Sequence, residues 1–166
     1  MPLDRLKYSE KEINSKFKLR ILSIPSKLFF TALIIVLVVQ ISSGQNVNTN
    51  LVVTNLPAKK GTLIIAWYDN ADDFTKPKKA VYQHNVNTNG ERSVSTVFTN
   101  IPKGEYAIAM YFDENSNNKM DTNFLGIPIE RYGFSNNKYF ATRACTYEEA
   151  KFSLKQDNQK VTVKLK

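Results

Sequence analysis

Apolar and polar side chains alternate along most of the chain beyond residue 50, and the period is two. That is the period of half-buried strands rather than of helices. The cleanest run is Lys160–Lys166: Val161, Val163 and Leu165 point one way, and Lys160, Thr162, Lys164 and Lys166 the other. It predicts a strand with one face to water, its lysines guarding against edge pairing. Glu105–Phe112 is the strongest strand, with Tyr106, Ile108, Met110 and Phe112 alternating with Ala107, Ala109 and Tyr111. Thr62–Tyr68 is apolar on both faces, which predicts a central strand covered on both sides. Leu51–Leu56, ended by Pro57, Ala80–Val86 and Glu91–Thr99 complete the clearer candidates.

Turn signals separate these runs. Asn87-Thr88-Asn89-Gly90 supplies the positive φ of a hairpin, and Ile101-Pro102-Lys103-Gly104 turns the chain again. Asp69–Lys79 reads as a loop from which Phe74 tucks back onto the sheet. Thr146, with Glu149 three residues on, predicts a capped helical turn. About seven short strands with turns every 8–12 residues and almost no helix predict an all-β, antiparallel Greek-key β-sandwich over residues 51–166.

The start of the chain follows another pattern. Residues 1–27 hold seven Lys or Arg, and Leu28–Ile41 is then a fourteen-residue run interrupted only by Thr31 and Gln40. Ser42-Ser43-Gly44 follows, with small residues at −3 and −1 of a cut before Gln45. A basic segment, an apolar segment and a small-residue site describe a signal peptide over residues 1–44. An uncleaved membrane anchor is the competing reading, although spanning takes roughly 20 apolar residues. Residues 45–50, polar and rich in Asn, read as a short linker.

Charge changes meaning once the leader is set apart. The whole chain carries +8, but removing seven basic and three acidic residues with the leader leaves +4. Lys76-Pro77-Lys78-Lys79 is the only basic cluster, and it lies in a loop without interleaved aromatics. The expectation is therefore no nucleic-acid partner. The single cysteine, Cys145, permits no intramolecular disulfide and reads as a small buried apolar residue. One His and one Cys exclude a multi-His or Cys-rich metal centre.

Chemical specificity concentrates in Tyr111–Asn123. Asp113, Asn115, Asn117 and Asp121 fall at positions 1, 3, 5 and 9 of a loop, the spacing by which calcium loops surround the ion with oxygens. The Lys119 carbonyl fits the backbone-donating position, and Asp121 can bind directly or through a water. The twelfth position is Phe124, so this is not an EF-hand. Glu130 is the nearest downstream carboxylate to close the shell, and Asn123 could add an amide oxygen. The expected metal is Ca²⁺, with an affinity of about 10⁻⁴–10⁻³ M. The competing reading is a polar turn, which the same residue types favour.

Several stretches then line up with a known family. Ile101-Pro102-Lys103-Gly104-Glu105-Tyr106-Ala107, the run Asp113–Asp121, Leu125–Asn137 and Tyr147–Phe152 resemble a bacterial exported family, domain of unknown function 2141. The resemblance covers most of residues 50–166. It implies a secreted or periplasmic β-sandwich of prealbumin-like or immunoglobulin-like type, and no activity. Where that family usually has Gly after the third ligand position, this chain has Asn118, a residue that tolerates the left-handed conformation.

Together these readings predict an exported, non-enzymatic β-sandwich, periplasmic, secreted or at the cell surface. Its calcium loop would rigidify a surface for adhesion, envelope assembly or binding of a cell-envelope glycan or protein. Membrane contact is expected only through residues 1–44, if uncleaved, and the oligomeric state stays open. The alternative is an enzyme or accessory domain acting on envelope glycan or peptide through Glu130–Asn137. Against it, no G-x-S-x-G, H-E-x-x-H or phosphate-cradling loop is present. Trp67, Tyr68, Tyr132, Phe134 and Tyr139 read as core or satellite packing, or as an aromatic ligand platform.

Overall fold

The strand Lys60–Tyr68 (β2) organises the fold because both of its faces are apolar and both are covered. A computed structural model describes residues 45–140 and 142–166; the expected signal peptide over residues 1–44 lies outside them. Among the described residues the chain is mostly β. The strands are β1 (Asn46–Thr54), β2, β3 (Tyr82–Asn89), β4 (Ser93–Pro102), β5 (Gly104–Asp113), β6 (Tyr132–Phe134), β7 (Phe152–Leu154) and β8 (Gln159–Lys164). One helical turn, α1 (Tyr147–Ala150), precedes β7. None of the described helices is long and apolar enough to cross a membrane.

The strands form two sheets. One has the order β4-β1-β8, and the other β3-β2-β5-β6, with β7 paired to the start of β5. From β2, Leu63, Ile65 and Trp67 join Ile108, Met110 and Phe112 of β5 in one core with Leu51 and Val53 of β1, Phe98 of β4 and Val163 of β8. Burying each large aliphatic or aromatic side chain there contributes about 1.5–3 kcal/mol. Trp67 is the hub, its ring centroid 4.9–6.4 Å from those of Tyr82, Phe98, Tyr106 and Phe152. The neighbouring residues Ala66 and Tyr68, with Ala107 of β5, belong to a second cluster with Phe74, Phe134, Cys145 and Tyr147. Phe74 does return to the sheet, as expected.

Several elements depart from the sequence reading. The 45–50 linker is instead the start of β1, because Val47 and Thr49 continue the buried face of Leu51 and Val53. The asparagines between them are the outward residues of a central strand. The strand expected over Ala80–Val86 begins at Tyr82 and runs through Asn89, so the hairpin turn moves to Gly90–Arg92. One pairing is not antiparallel: β1 and β8 run parallel, from Thr49↔Gln159 to Thr54↔Lys164. They are far apart in sequence, so no tight turn forces them to run in opposite directions.

Two glycines let backbones meet. A Cβ on Gly61 would lie 2.5 Å from the Phe112 ring, and one on Gly133 would lie 2.8 Å from Val163. Turns are handled differently: of the eight non-glycine residues with positive φ among the described residues, six are Asn. Asparagine thus does the work that glycine does in many β proteins, which accounts for part of the chain's Asn content.

Candidate functional site

Asp113 ends β5 fully buried, paired in register with Thr62. The chain leaves as a loop and returns as β6, with Tyr111 opposite Tyr132 and the Phe112 N–H donating to the Arg131 carbonyl at 2.8 Å. Continuing that register by two residues sets Glu130 across from Asp113. Strand pairing therefore brings the loop's first carboxylate and the distant Glu130 together.

Both carboxylates hold loop backbone. Asp113 accepts from the N–H of Asn117 at 3.2 Å and of Asn118 at 2.8 Å. Glu130, 5% exposed, accepts from the N–H of Glu114 at 2.9 Å and of Asp121 at 3.0 Å. Asn115 Oδ1 accepts from Asn117 N–H at 3.1 Å, and Asn117 Oδ1 from Lys119 N–H at 2.8 Å. The amide groups of Asn115 and Asn117 donate to Asp121 Oδ2 and Oδ1, at 2.6 and 3.0 Å. Asn118 has φ 58°, so it does take the left-handed conformation, as Ser116 does at 62°. The Lys119 carbonyl accepts no hydrogen bond among the described residues. All five predicted side-chain ligands thus sit in one hydrogen-bonded assembly.

The electrostatics of this corner show in Tyr111. Its hydroxyl is pushed up to about 12, first by burial and then by the nearby carboxylates Asp113, Glu130 and Asp121. Glu114 is paired with Lys59 on the rim. Two expectations are qualified. Among the described residues no three His, Cys, Asp or Glu side chains group so as to hold a metal ion. Two of the five ligands are amides, and Asp113 and Glu130 face backbone N–H groups. The Asn123 side chain is otherwise engaged: its Oδ1 accepts from Leu125 and Ile127 N–H, each at 3.0 Å, folding 121–129 into a small apolar arm. Thr122 bridges Pro128 at its base.

The Glu130–Asn137 region holds elements together. Arg131 donates to the Asn55 carbonyl at 2.7 Å, Asn136 to the carbonyls of Glu149 and Lys151, and Asn137 to the Thr162 carbonyl. Ser135 is buried, accepting from Ile108 N–H and donating to the Ala150 carbonyl at 2.6 Å. Cys145 is buried, and burial pushes its thiol up, away from the reactive thiolate. Asp73 is tied to Asn70, and Glu148 to Lys151. Glu149 accepts from the Arg143 guanidinium and from Thr146 N–H, so the expected cap of α1 forms.

One feature escaped the sequence reading. A cavity of about 600 Å³ lies between the outer face of the β2–β5–β6 sheet and the apolar arm, with Tyr68, Tyr132 and Phe134 among its lining. None of its lining residues is Asp or Glu. Its sequence trace is the pair of small residues Ala66 and Ala109, directly opposite each other in register.

The molecule is thus a two-sheet, mostly β protein with an oxygen-rich loop at one strand end. The chain belongs to the DUF2141 family, described as an uncharacterized protein conserved in bacteria, whose family model matches residues 51–162, more than half of its length. No curated protein and no solved structure matches it.

Proposed function

We propose that this chain is an exported, non-enzymatic binding module, a Greek-key β-sandwich of prealbumin-like or immunoglobulin-like type. Its Asp113–Asp121 loop is closed by calcium and presents a surface to a cell-envelope glycan or protein. The observation that carries the reading is that Asp113, Asn115, Asn117, Asp121 and Glu130 belong to one hydrogen-bonded assembly, although their three carboxylates do not group closely enough to hold a metal ion as they stand. Oxygens 2.3–2.6 Å from one calcium ion lie roughly 3 Å from one another. The side-chain ends of Asn115 and Asn117 already stand 2.6 and 3.0 Å from the Asp121 carboxylate. Half a turn of each amide would replace NH₂ with oxygen at that spacing, giving up the hydrogen bonds that these amides now accept from Asn117 and Lys119 N–H, and the Lys119 carbonyl adds a backbone donor. Asp113 and Glu130 keep lone pairs beyond those that accept backbone N–H groups.

A binding role is favoured over catalysis by the state of Ser135, Cys145 and the cavity. Ser135 is bonded to backbone, Cys145 is buried, and the cavity is lined by no carboxylate. The basic and apolar leader supports export. Calorimetric titration with Ca²⁺ tests the metal: the parent should give a one-site isotherm near 10⁻⁴–10⁻³ M, and Asp113→Ala none. No heat from the parent up to millimolar calcium rules the metal out.

A further inference from the structure

The arm that follows the oxygen-rich loop turns large apolar side chains to solvent. Phe124 is 94% exposed, Leu125 67%, Ile127 53% and Ile129 66%. A single exposed apolar residue is ordinary, but a cluster of them on one short arm marks an interaction surface. We infer that the arm is a membrane-docking element, whose tip carries Phe124, Leu125 and Ile127 into the interface of a lipid bilayer. No charged residue lies between Asp121 and Glu130. The two carboxylates that bound the arm are turned to other partners. Asp121 accepts from the amides of Asn115 and Asn117, and Glu130 from the N–H groups of Glu114 and Asp121.

A tip that leaves water must bring its own hydrogen-bond partners, because lipid offers none to an open N–H. This one does. Asn123 Oδ1 accepts from the N–H groups of Leu125 and Ile127, each at 3.0 Å. The Asn123 carbonyl accepts from Gly126 N–H at 2.9 Å, and Ile129 N–H donates to the Asp121 carbonyl at 3.0 Å. Pro128 has no N–H, so within 124–129 Phe124 alone keeps one without a partner among the described residues. Lipid suits such an arm better than a protein does. Its tip is uncharged, its backbone is already paired, and it offers no strand edge to extend. A bilayer's phosphates flank its acyl layer, and cations flank the arm. Lys119 and Arg143 line the same cavity as Leu125 and Ile127, and Lys119 makes no ion pair among the described residues. The basic and apolar leader would bring the chain to a membrane whether it is cleaved or retained. None of this needs a metal in the loop.

The test puts a fluorophore on the tip. Phe124→Trp in the full chain adds one tryptophan to the native Trp67, which is fully buried and supplies a constant background. Vesicles of phosphatidylcholine and phosphatidylglycerol are added in EDTA, so that loop metal plays no part. The tip emission should move to the blue and be quenched by lipids brominated on their acyl chains. Adding Leu125→Ser and Ile127→Ser should reduce that quenching about tenfold, with the circular dichroism spectrum retained because all three positions are exposed. A leader held in the bilayer cannot imitate the result, since the signal arises at position 124. Emission unmoved by vesicles overturns the inference, as does quenching that the two serines leave unchanged. So does a blue shift that needs no lipid and grows with protein concentration, which would assign the arm to a second copy of the chain.

Discussion

The two faces of the β2–β5 pair share the same backbone and are put to opposite uses. Toward the three-stranded sheet they carry Leu63, Ile65, Trp67, Ile108, Met110 and Phe112, all buried in one core. On the other side they carry Ile64, Ala66, Tyr68, Ala107, Ala109 and Tyr111, covered by loops, an apolar arm and a cavity. One face is filled with large side chains by a regular sheet. The other is left hollow at its centre and roofed by irregular chain. The contrast teaches that an apolar strand face signals burial without saying what does the burying. Residue size settles that, since paired alanines cannot fill a sheet-to-sheet gap of about 10 Å.

The comparison breaks most visibly at Trp67. Trp67→Ala on the filled face should cost about 3–5 kcal/mol, read as a fall in urea midpoint, because four aromatic neighbours lose their shared partner. A cost under 1 kcal/mol would mean the filled face is no more tightly packed than the hollow one. Asp113, at the seam between strand and loop, should cost less. Asp113→Ala frees two backbone N–H groups, for about 2 kcal/mol in the same measurement, and should abolish calcium binding.

The roofed face should be the one that calcium stiffens. With a dissociation constant of 10⁻⁴–10⁻³ M, 10 mM calcium stabilises by about 1.4–2.7 kcal/mol. The thermal midpoint should rise by roughly 5–10 °C and fall back with EDTA. An unmoved midpoint would leave the loop held by its own hydrogen bonds alone. The smallest effect lies at the cap of α1. Hydrogen bonds from Arg143, and then from Thr146 N–H, depress the Glu149 carboxyl to about 2 from its ordinary 4.5. A depressed carboxyl stabilises above its unfolded value and loses that contribution as pH falls through the folded one. The gap in urea midpoint between parent and Glu149→Gln should therefore be present at pH 6 and close between pH 4.5 and about 2. A gap that persists at pH 2 would show the glutamate acting through something other than its charge.

Much of the filled face was legible, because period-two alternation names the inward residues directly, as at Val161 and Val163 or along β5. The loop's ligands were legible as a spacing, and Glu130 as the nearest carboxylate. Its place opposite Asp113 became physical only through the pairing of Tyr111 with Tyr132, a register no local pattern encodes. β6 and β7 were missed as strands because three residues are too few for periodicity, and the start of β1 was missed because asparagines on an outward face look like linker. The cavity was hidden for another reason: Ala66 and Ala109 lie 43 positions apart in sequence, and only their pairing turns two small residues into a hollow.

The parallel β1–β8 pair carries a mechanical consequence. Asn46 and Lys164 lie toward opposite ends of that pair, since Thr49 meets Gln159 and Thr54 meets Lys164. A pull on residue 46 against residue 164 therefore loads the pair in shear, straining its hydrogen bonds together instead of unzipping them one at a time. A domain tethered by one end and gripped at the other would meet tension along its most resistant direction.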